Sequence, residues 1–236
     1  MGRCCVAPSP TSHLNFRRDN ITSMVKGHVE RVRSALLGLC EPLHDAFTWA
    51  EQLRRERLPE LSKGPAYRWH ATHTVRALAH YRLCQMRGEI GGWKLSGNHS
   101  QNGALWLTDG SYRARILHTL DECDVPPPGT NRARRAFYRN PLLLDEMPLF
   151  GEANDKLLIL WNINPMSLVV SFRVVRTIGN WTWGTPAKTD LDFPLPQTAE
   201  ELADLAFEPS DEDLGLELPS EEEEGEGDND VGGIPG

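Results

Sequence analysis

The chain has 236 residues, 39% of them hydrophobic and 25% charged, and a formal net charge of -8. Its longest purely apolar run, Leu157 to Trp161, is far shorter than the ~20 residues of a membrane helix, and no apolar run of signal-peptide length follows the first basic residues. We therefore expect a soluble protein without a membrane partner, folded as one large domain or two small ones.

The charge is divided unequally along the chain. From Glu200 onward there are 15 acidic residues and no Lys or Arg, so the other 18 acidic residues face all 25 basic ones and residues 1–199 carry a net charge of +7. A basic body favours phosphate-bearing partners. The acidic, Gly-rich tail at 210–236 is predicted to be disordered, as is the head at 1–23, which lacks apolar periodicity.

The cysteines and short motifs narrow the functional class. The five cysteines are odd in number and form no CxxC pair, which favours reduced thiols in the cytoplasm over a disulfide framework or a zinc ribbon. The chain has no P-loop, dinucleotide-binding fingerprint or nucleophile elbow. No cofactor is therefore predicted, and whether the protein is an enzyme is left open.

The first periodic segment predicts an amphipathic helix. Apolar residues recur at steps of three and four from Val25 to Ala50, which places them on one helical face. Pro42 interrupts this pattern, so we predict a kink, or two helices that meet, near Cys40 to Pro42. We expect the apolar face to pack on the protein's own core, with a coiled-coil partner as the alternative.

A second helix is predicted from about Tyr67 to Arg87. Its apolar face is flanked by a narrow stripe of potential metal ligands: His70, His73, His80 and Cys84. Residues three, four and seven apart are neighbours on a helix, so two of these side chains could share a soft metal ion. The spacing matches no usual zinc family, and we predict a solvated helix flank without a metal.

The clearest strand signal is a hairpin at Ala104 to Leu117. Asp109-Gly110 is typical of a two-residue turn. This turn predicts the pairs Leu107 with Tyr112, Leu105 with Ala114 and Trp106 with Arg113. Trp106, Arg113 and Arg115 then share the outer face, where the indole either stacks on a nucleic-acid base or forms a cation–π pair that stiffens the sheet.

Two further strand patterns complete a mostly antiparallel sheet. Leu157 to Ile163 and Leu168 to Ile178 predict a second hairpin, and Asn180 to Gly184 is a third strand candidate. The predicted fold is therefore α+β, with a helical part at 24–88 packed on an antiparallel sheet at 89–209 in one compact domain. A capping box at Thr198 predicts a last short helix.

A glycine-bracketed loop from Gly97 to Gly103 carries His99, the candidate catalytic residue. Its neighbours are hydrogen-bonding side chains, and a histidine in such a loop can serve as a general acid or base near neutral pH. Asn, Ser and Gly are also what an ordinary hairpin loop contains. Both interpretations stay open from the sequence.

An arginine-rich helix is predicted behind the rigid Pro126-Pro127-Pro128 spacer. Thr130 or Asn131 can cap it, and one of its faces carries Arg132, Arg135 and Arg139. Guanidinium groups near a helix start suit phosphate or carboxylate. The candidate binding residues are thus Arg132, Arg135, Arg139, Arg113, Arg115 and Trp106. A solvated helix face and docking of the acidic tail are the alternatives.

Three segments resemble a family of uncharacterised intracellular bacterial proteins: GWKLSGNHSQNGALWLTDG, PPPGTNRARRAFYRNP and RVVRTIGNW. The resemblance covers about Val25 to Pro209 and implies a bacterial, cytoplasmic setting, without an activity or a catalytic residue.

Three functional hypotheses follow from the sequence. The first is a regulatory, nucleic-acid- or phosphate-associated binding protein whose acidic tail competes for the same basic surface. The second is an enzyme that acts on a nucleotide or phosphorylated substrate, with His99 as acid or base. The third is a protein-interaction or antitoxin-like module in which the long helix and the tail bind a basic protein partner.

Overall fold

The computed structural model describes residues 26–62, 65–86, 90–100, 103–119, 125–141 and 155–205. The head and the acidic tail that are predicted to be disordered lie outside these residues. Within them, helices precede a single six-stranded sheet. The predicted α+β fold is confirmed.

The helices are α1 (26–36), α2 (Cys40–Arg57), α3 (Pro59–Ser62), α4 (Arg68–Gln85), α5 (Arg132–Phe137) and α6 (Ala199–Asp204). Short 3-10 turns occupy Leu37–Leu39 and Pro65–Tyr67. Among these described helices, none combines the length and the apolar character needed to cross a bilayer.

The strands are β1 (Lys94–Ser96), β2 (Leu105–Thr108), β3 (Tyr112–His118), β4 (Asp155–Ile163), β5 (Val170–Thr177) and β6 (Thr189–Leu195), and they lie in the sheet in chain order. Four of the five pairings are antiparallel, and β3 pairs with β4 in parallel. The long connection between these two strands, which includes α5, permits the parallel pairing. The mostly antiparallel prediction is therefore correct.

The helical segment is interrupted one turn before Pro42. Pro42 has no N–H for the carbonyl of Gly38, and the helix tightens to a 3-10 turn at Leu37–Leu39. Gly38 also lies against Gly91 so closely that a Cβ on it would be 2.4 Å from the Gly91 Cα. The predicted interruption is confirmed, and the close approach fixes where α1 ends and α2 begins.

The main core lies between α1, α2 and α4 and the inner face of the sheet. Phe47 of α2 contacts Trp161 of β4 and Phe172 of β5, with ring centroids 4.9 Å and 5.2 Å apart. The stripe predicted on the first helix is fully buried at Val29, Val32, Leu36, Leu39, Leu43, Phe47 and Ala50. This helix therefore packs on the protein's own core.

The first hairpin has a longer loop than predicted. Leu107 pairs with Ala114 and Trp106 with Arg115, so four residues, Asp109 to Tyr112, separate the last β2–β3 pair, Thr108 with Arg113, where two were predicted. The Asp109 carboxylate explains the difference, because its Oδ1 accepts hydrogen bonds from the backbone N–H groups of Ser111 and Tyr112, at 2.9 Å and 2.7 Å. A register shift of two residues leaves the predicted faces unchanged.

The third strand candidate, Asn180 to Gly184, is wrong. This segment is a loop between Gly179 and Gly184, which have φ values of 65° and 78°, and the sixth strand begins after it at Thr189. Trp181 and Trp183 contact each other edge to face at 5.8 Å instead of packing on the sheet. The second predicted hairpin is confirmed as β4 and β5, which pair antiparallel.

A buried charge network ties the start of α1 to the sheet. The guanidinium of Arg176 donates to Asp155 at 3.0 Å, to Asp190 and to the Pro141 carbonyl at 2.9 Å. His28 lies 3.2 Å from the other oxygen of Asp155. Burial raises the pKa of Asp190 to about 6 in spite of Arg176. Arg176 is therefore the cation that permits two carboxylates to stay inside the fold.

We expect Arg176→Met to lower the free energy of unfolding by about 3–5 kcal/mol, because it leaves Asp155 and Asp190 buried without their counter-charge. Urea denaturation followed by circular dichroism measures the change. Arg82→Met is the control: its pair with Asp45 is exposed and contributes less than about 1 kcal/mol. Equal losses in the two variants would contradict the assignment.

Candidate functional site

The outer face of the sheet carries a second, smaller core that holds α5 in place. Its fully packed members are Phe137, Tyr138, Leu158, Leu160 and Val175. Asn131 caps the start of α5, where its side chain accepts a hydrogen bond from the Arg134 N–H at 3.1 Å. The predicted cap is thus confirmed, and the apolar end of this short helix is anchored by burial.

Two polar anchors fix the other end of α5. The Nζ of Lys156 on β4 donates to the carbonyls of Ala136 and Arg139 at 3.1 Å and 3.2 Å. A cation is favourable there because the last carbonyls of a helix carry partial negative charge. Asn140 then bonds to the backbone of β4 and β5, including Lys156 N–H at 3.0 Å and Thr177 carbonyl at 2.9 Å. These hydrogen bonds therefore fix the orientation of α5 on the sheet.

Trp106 of β2 connects α5 with the arginines of β3. Its ring lies edge to face with Phe137 at 4.8 Å, and the guanidinium carbons of Arg113 and Arg115 lie 4.7 Å and 5.2 Å from its centroid. A Cβ on Gly97 would come 2.9 Å from the indole Cδ1. Trp106 is thus half-buried between neighbours, and the predicted cation–π contact is present.

Six arginines lie on β3 or on α5 and the residues after it, the elements that Trp106 connects, and we call them the arginine face: Arg113, Arg115, Arg132, Arg134, Arg135 and Arg139. All except Arg115 are exposed. Burial, followed by the charges of Arg134 and Arg76, lowers the pKa of Arg115. The guanidinium groups of Arg134 and of Arg76, which lies on α4, are therefore close enough to Arg115 to repel it.

The arginine face differs from the protein's other arginines in its lack of carboxylate partners. Within the described part of the chain, none of the six forms an ion pair, whereas Arg33, Arg54, Arg55, Arg82, Arg173 and Arg176 each do. Five of the six were predicted from the sequence. Arg134 was missed because it lies two residues from Arg132, off the stripe that helical spacing defines.

His99 lies in its loop against α4. Its ring stacks on that of His80 with centroids 3.6 Å apart and planes 10° apart. Burial and the neighbouring His99 lower the pKa of His80. Asn98 accepts hydrogen bonds from the N–H and hydroxyl of Ser100 at 3.0 Å and 2.6 Å, which is ordinary turn chemistry. The catalytic role of His99 stays a prediction.

The four metal candidates on α4 do not converge. His73 hydrogen-bonds to Arg76 at 2.9 Å, while the sulfur of Cys84 lies 3.8 Å from His80. His70 contacts a threonine on its own helix. The part of the chain that the structure describes contains no group of three or more potential metal ligands.

The structure also shows a cleft that sequence reasoning missed. It has a volume of about 800 Å³ and lies between α2, α3, the start of α4 and the ends of β3 and β4. Its polar and aromatic lining includes Glu51, Arg54, Arg55, Ser62, Tyr67, Arg68, Trp69, His118, Trp161 and Asn162. These residues are far apart in sequence, so no local pattern could have grouped them.

Comparisons with protein-family models, with curated proteins and with solved structures give no match to this chain.

We expect His99→Asn to raise the pKa of His80, because it removes the neighbouring imidazole that disfavours the charged form. Side-chain NMR titration of His80 measures the shift. His73→Asn, on the exposed part of the same helix, is the control and leaves His80 unchanged. An unchanged His80 pKa in His99→Asn would refute the coupling.

Proposed function

We propose that the protein binds the phosphate backbone of nucleic acid at the arginine face. The observation that carries the proposal is that the six arginines of β3 and the α5 region, two elements joined through Trp106, lack ion pairs among the described residues. Like charges repel one another, and a bound anion offsets this repulsion. A polyanion that lies across β3 and α5 offsets the repulsion at several points simultaneously.

Guanidinium groups suit phosphate for a geometric reason. Each one presents donors in a planar fork that matches two phosphate oxygens. Arg132, Arg135 and Arg139 are exposed and free to adjust, whereas Arg113 and Arg115 are held over the Trp106 ring. We assign Trp106 to positioning these two cations, because its ring already contacts them and Phe137.

The acidic tail supplies a regulatory element in this proposal. The tail at 210–236 contains acidic residues and no basic ones, so it competes with nucleic acid for the arginine face. Competition of this kind weakens binding at low salt, where electrostatic attraction is least screened. A truncated chain without the tail therefore binds more tightly and with a steeper salt dependence.

The central test neutralises the exposed arginines of α5. We expect Arg132→Gln/Arg135→Gln/Arg139→Gln to weaken binding to a labelled single-stranded oligonucleotide by at least ~10-fold at about 50 mM salt, and to reduce the salt slope by about 2. Fluorescence anisotropy with full-length and tail-deleted chains measures both quantities. The side chains are exposed, so the fold is retained.

The matched control removes the same charge elsewhere. Arg57→Gln/Lys94→Gln/Lys188→Gln changes three exposed basic residues outside the arginine face and is expected to leave the affinity within ~2-fold. Equal weakening in both variants would mean that only net charge matters. If the tail-deleted chain does not bind at low salt, the proposal is wrong, and the alternatives of an enzyme using His99 or a module that binds a basic protein become the leading hypotheses.

A further inference from the structure

We propose that the cleft is a binding site for a small ligand that combines a planar aromatic ring with an anionic group, such as a nucleoside monophosphate. This inference does not depend on the arginine face. The cleft volume of about 800 Å³ lies within the range of about 300–1,000 Å³ that is typical of small-molecule sites. The chemistry of its walls then defines the class of ligand.

The cationic wall is held in place by one buried carboxylate. Glu51 accepts two hydrogen bonds of 2.8 Å from Arg54 and one of 2.5 Å from Arg55. Burial disfavours its charged form, but these hydrogen bonds outweigh burial and lower the pKa of Glu51. Arg54 also donates to Ser62 at 3.0 Å. All three guanidinium nitrogens of Arg54 therefore donate hydrogen bonds, which holds this side chain rigidly in the wall.

Arg55 and Arg68 supply the charge that remains for a ligand. Arg55 donates a hydrogen bond from its Nε to Glu51. Its two terminal nitrogens remain for a ligand, on a side chain that is 37% exposed. Arg68 is exposed at the start of α4 and lines the same cleft. Glu51 balances one of the three guanidinium groups, so the wall keeps a positive charge that suits phosphate or carboxylate.

The aromatic wall provides surfaces for a ring. Trp69 is 64% exposed and Tyr67 is 45% exposed, although both line the cleft. Large aromatic side chains at a concave surface can stack on a ligand ring. An aliphatic anion would leave these surfaces unused, and a neutral ring would leave the excess positive charge of Arg55 and Arg68 without an anion. A ligand with both features satisfies both walls.

The floor of the cleft offers directional polar groups. The indole Nε1 of Trp161 is buried and has no hydrogen-bond partner among the described residues. His118 packs edge to face on Trp161 at 4.6 Å, and burial followed by the charge of Arg76 lowers the pKa of this histidine. A neutral imidazole near pH 7 can both donate and accept. Together these groups can recognise ring nitrogens or hydroxyls.

The test is a titration of the full-length protein with adenosine monophosphate, monitored by isothermal titration calorimetry and by tryptophan fluorescence. We expect saturable binding, with adenosine alone and inorganic phosphate each at least ~10-fold weaker, because each satisfies only one wall. Trp69→Ala and Arg68→Gln are each expected to weaken binding by about 10-fold.

Matched variants distinguish the cleft from general effects. Trp183→Ala removes a tryptophan that is 74% exposed but lies outside the cleft, and Arg82→Gln removes a basic residue from the other end of α4. Neither is expected to change the affinity. The α5 triple variant also retains nucleotide binding, which separates this inference from the proposed function.

Three results would overturn the inference. One is the absence of saturable nucleotide binding at millimolar concentration. Another is an equal effect of Trp69→Ala and Trp183→Ala. The last is loss of nucleotide binding in the α5 triple variant, which would place the ligand on the arginine face.

Discussion

Strand β4 imposes the constraint on which the rest of the structure depends. Its side chains are apolar on both faces, with Leu157 and Ile159 in the main core and Leu158 and Leu160 in the second one. A strand of this kind must be covered on both sides. The long helices cover one side, and α5 covers the other through Phe137 and Tyr138. The need to bury β4 therefore places an arginine-rich helix on the sheet.

The arginine face is a consequence of this packing. Phe137 reaches Trp106 across the second core, and Trp106 in turn lies beneath Arg113 and Arg115. Apolar contacts thus bring together cations that would otherwise repel one another. The contrast with Arg176 is informative, because this buried arginine has carboxylate partners. Within the described residues the buried Arg176 is thus paired with carboxylates, whereas the six arginines of the arginine face form no ion pair.

Periodicity alone predicted most elements of the fold. The spacing from Val25 to Ala50 defined the buried face of the first helical segment, and the alternation around Trp106 defined the two faces of β2 and β3. These signals are local, since they depend on the 3.6-residue and two-residue repeats. The fold class could therefore be predicted correctly from the sequence.

Features that depend on distant contacts or on side-chain detail could not be predicted in this way. The Asp109 carboxylate lengthened the first hairpin loop by accepting two backbone hydrogen bonds. The glycines at 179 and 184 turned a tryptophan-rich segment into a loop. Arg134 belongs to the arginine face only because the tertiary fold places its charge within range of Arg115, which lies on β3. The cleft requires three helices and two strands to meet.

The arginine face and the cleft differ in their chemistry. The arginine face is broad and almost wholly cationic, which suits a polymer of phosphates. The cleft combines a buried carboxylate, a limited positive charge and an aromatic wall, which suits a single small ligand. Its lining residue His118 lies within electrostatic range of Arg76, which in turn acts on Arg115.

Hydrogen–deuterium exchange of the full-length protein with and without a single-stranded oligonucleotide tests the central claim most directly, because it locates the contact surface without a mutation. The account predicts increased protection in α5 and the following turn, residues 131–140, and in β3, with no change in the loop that carries Trp183. Protection confined to the helical region at 26–57, or no change anywhere under low-salt conditions, would contradict the assignment of the arginine face.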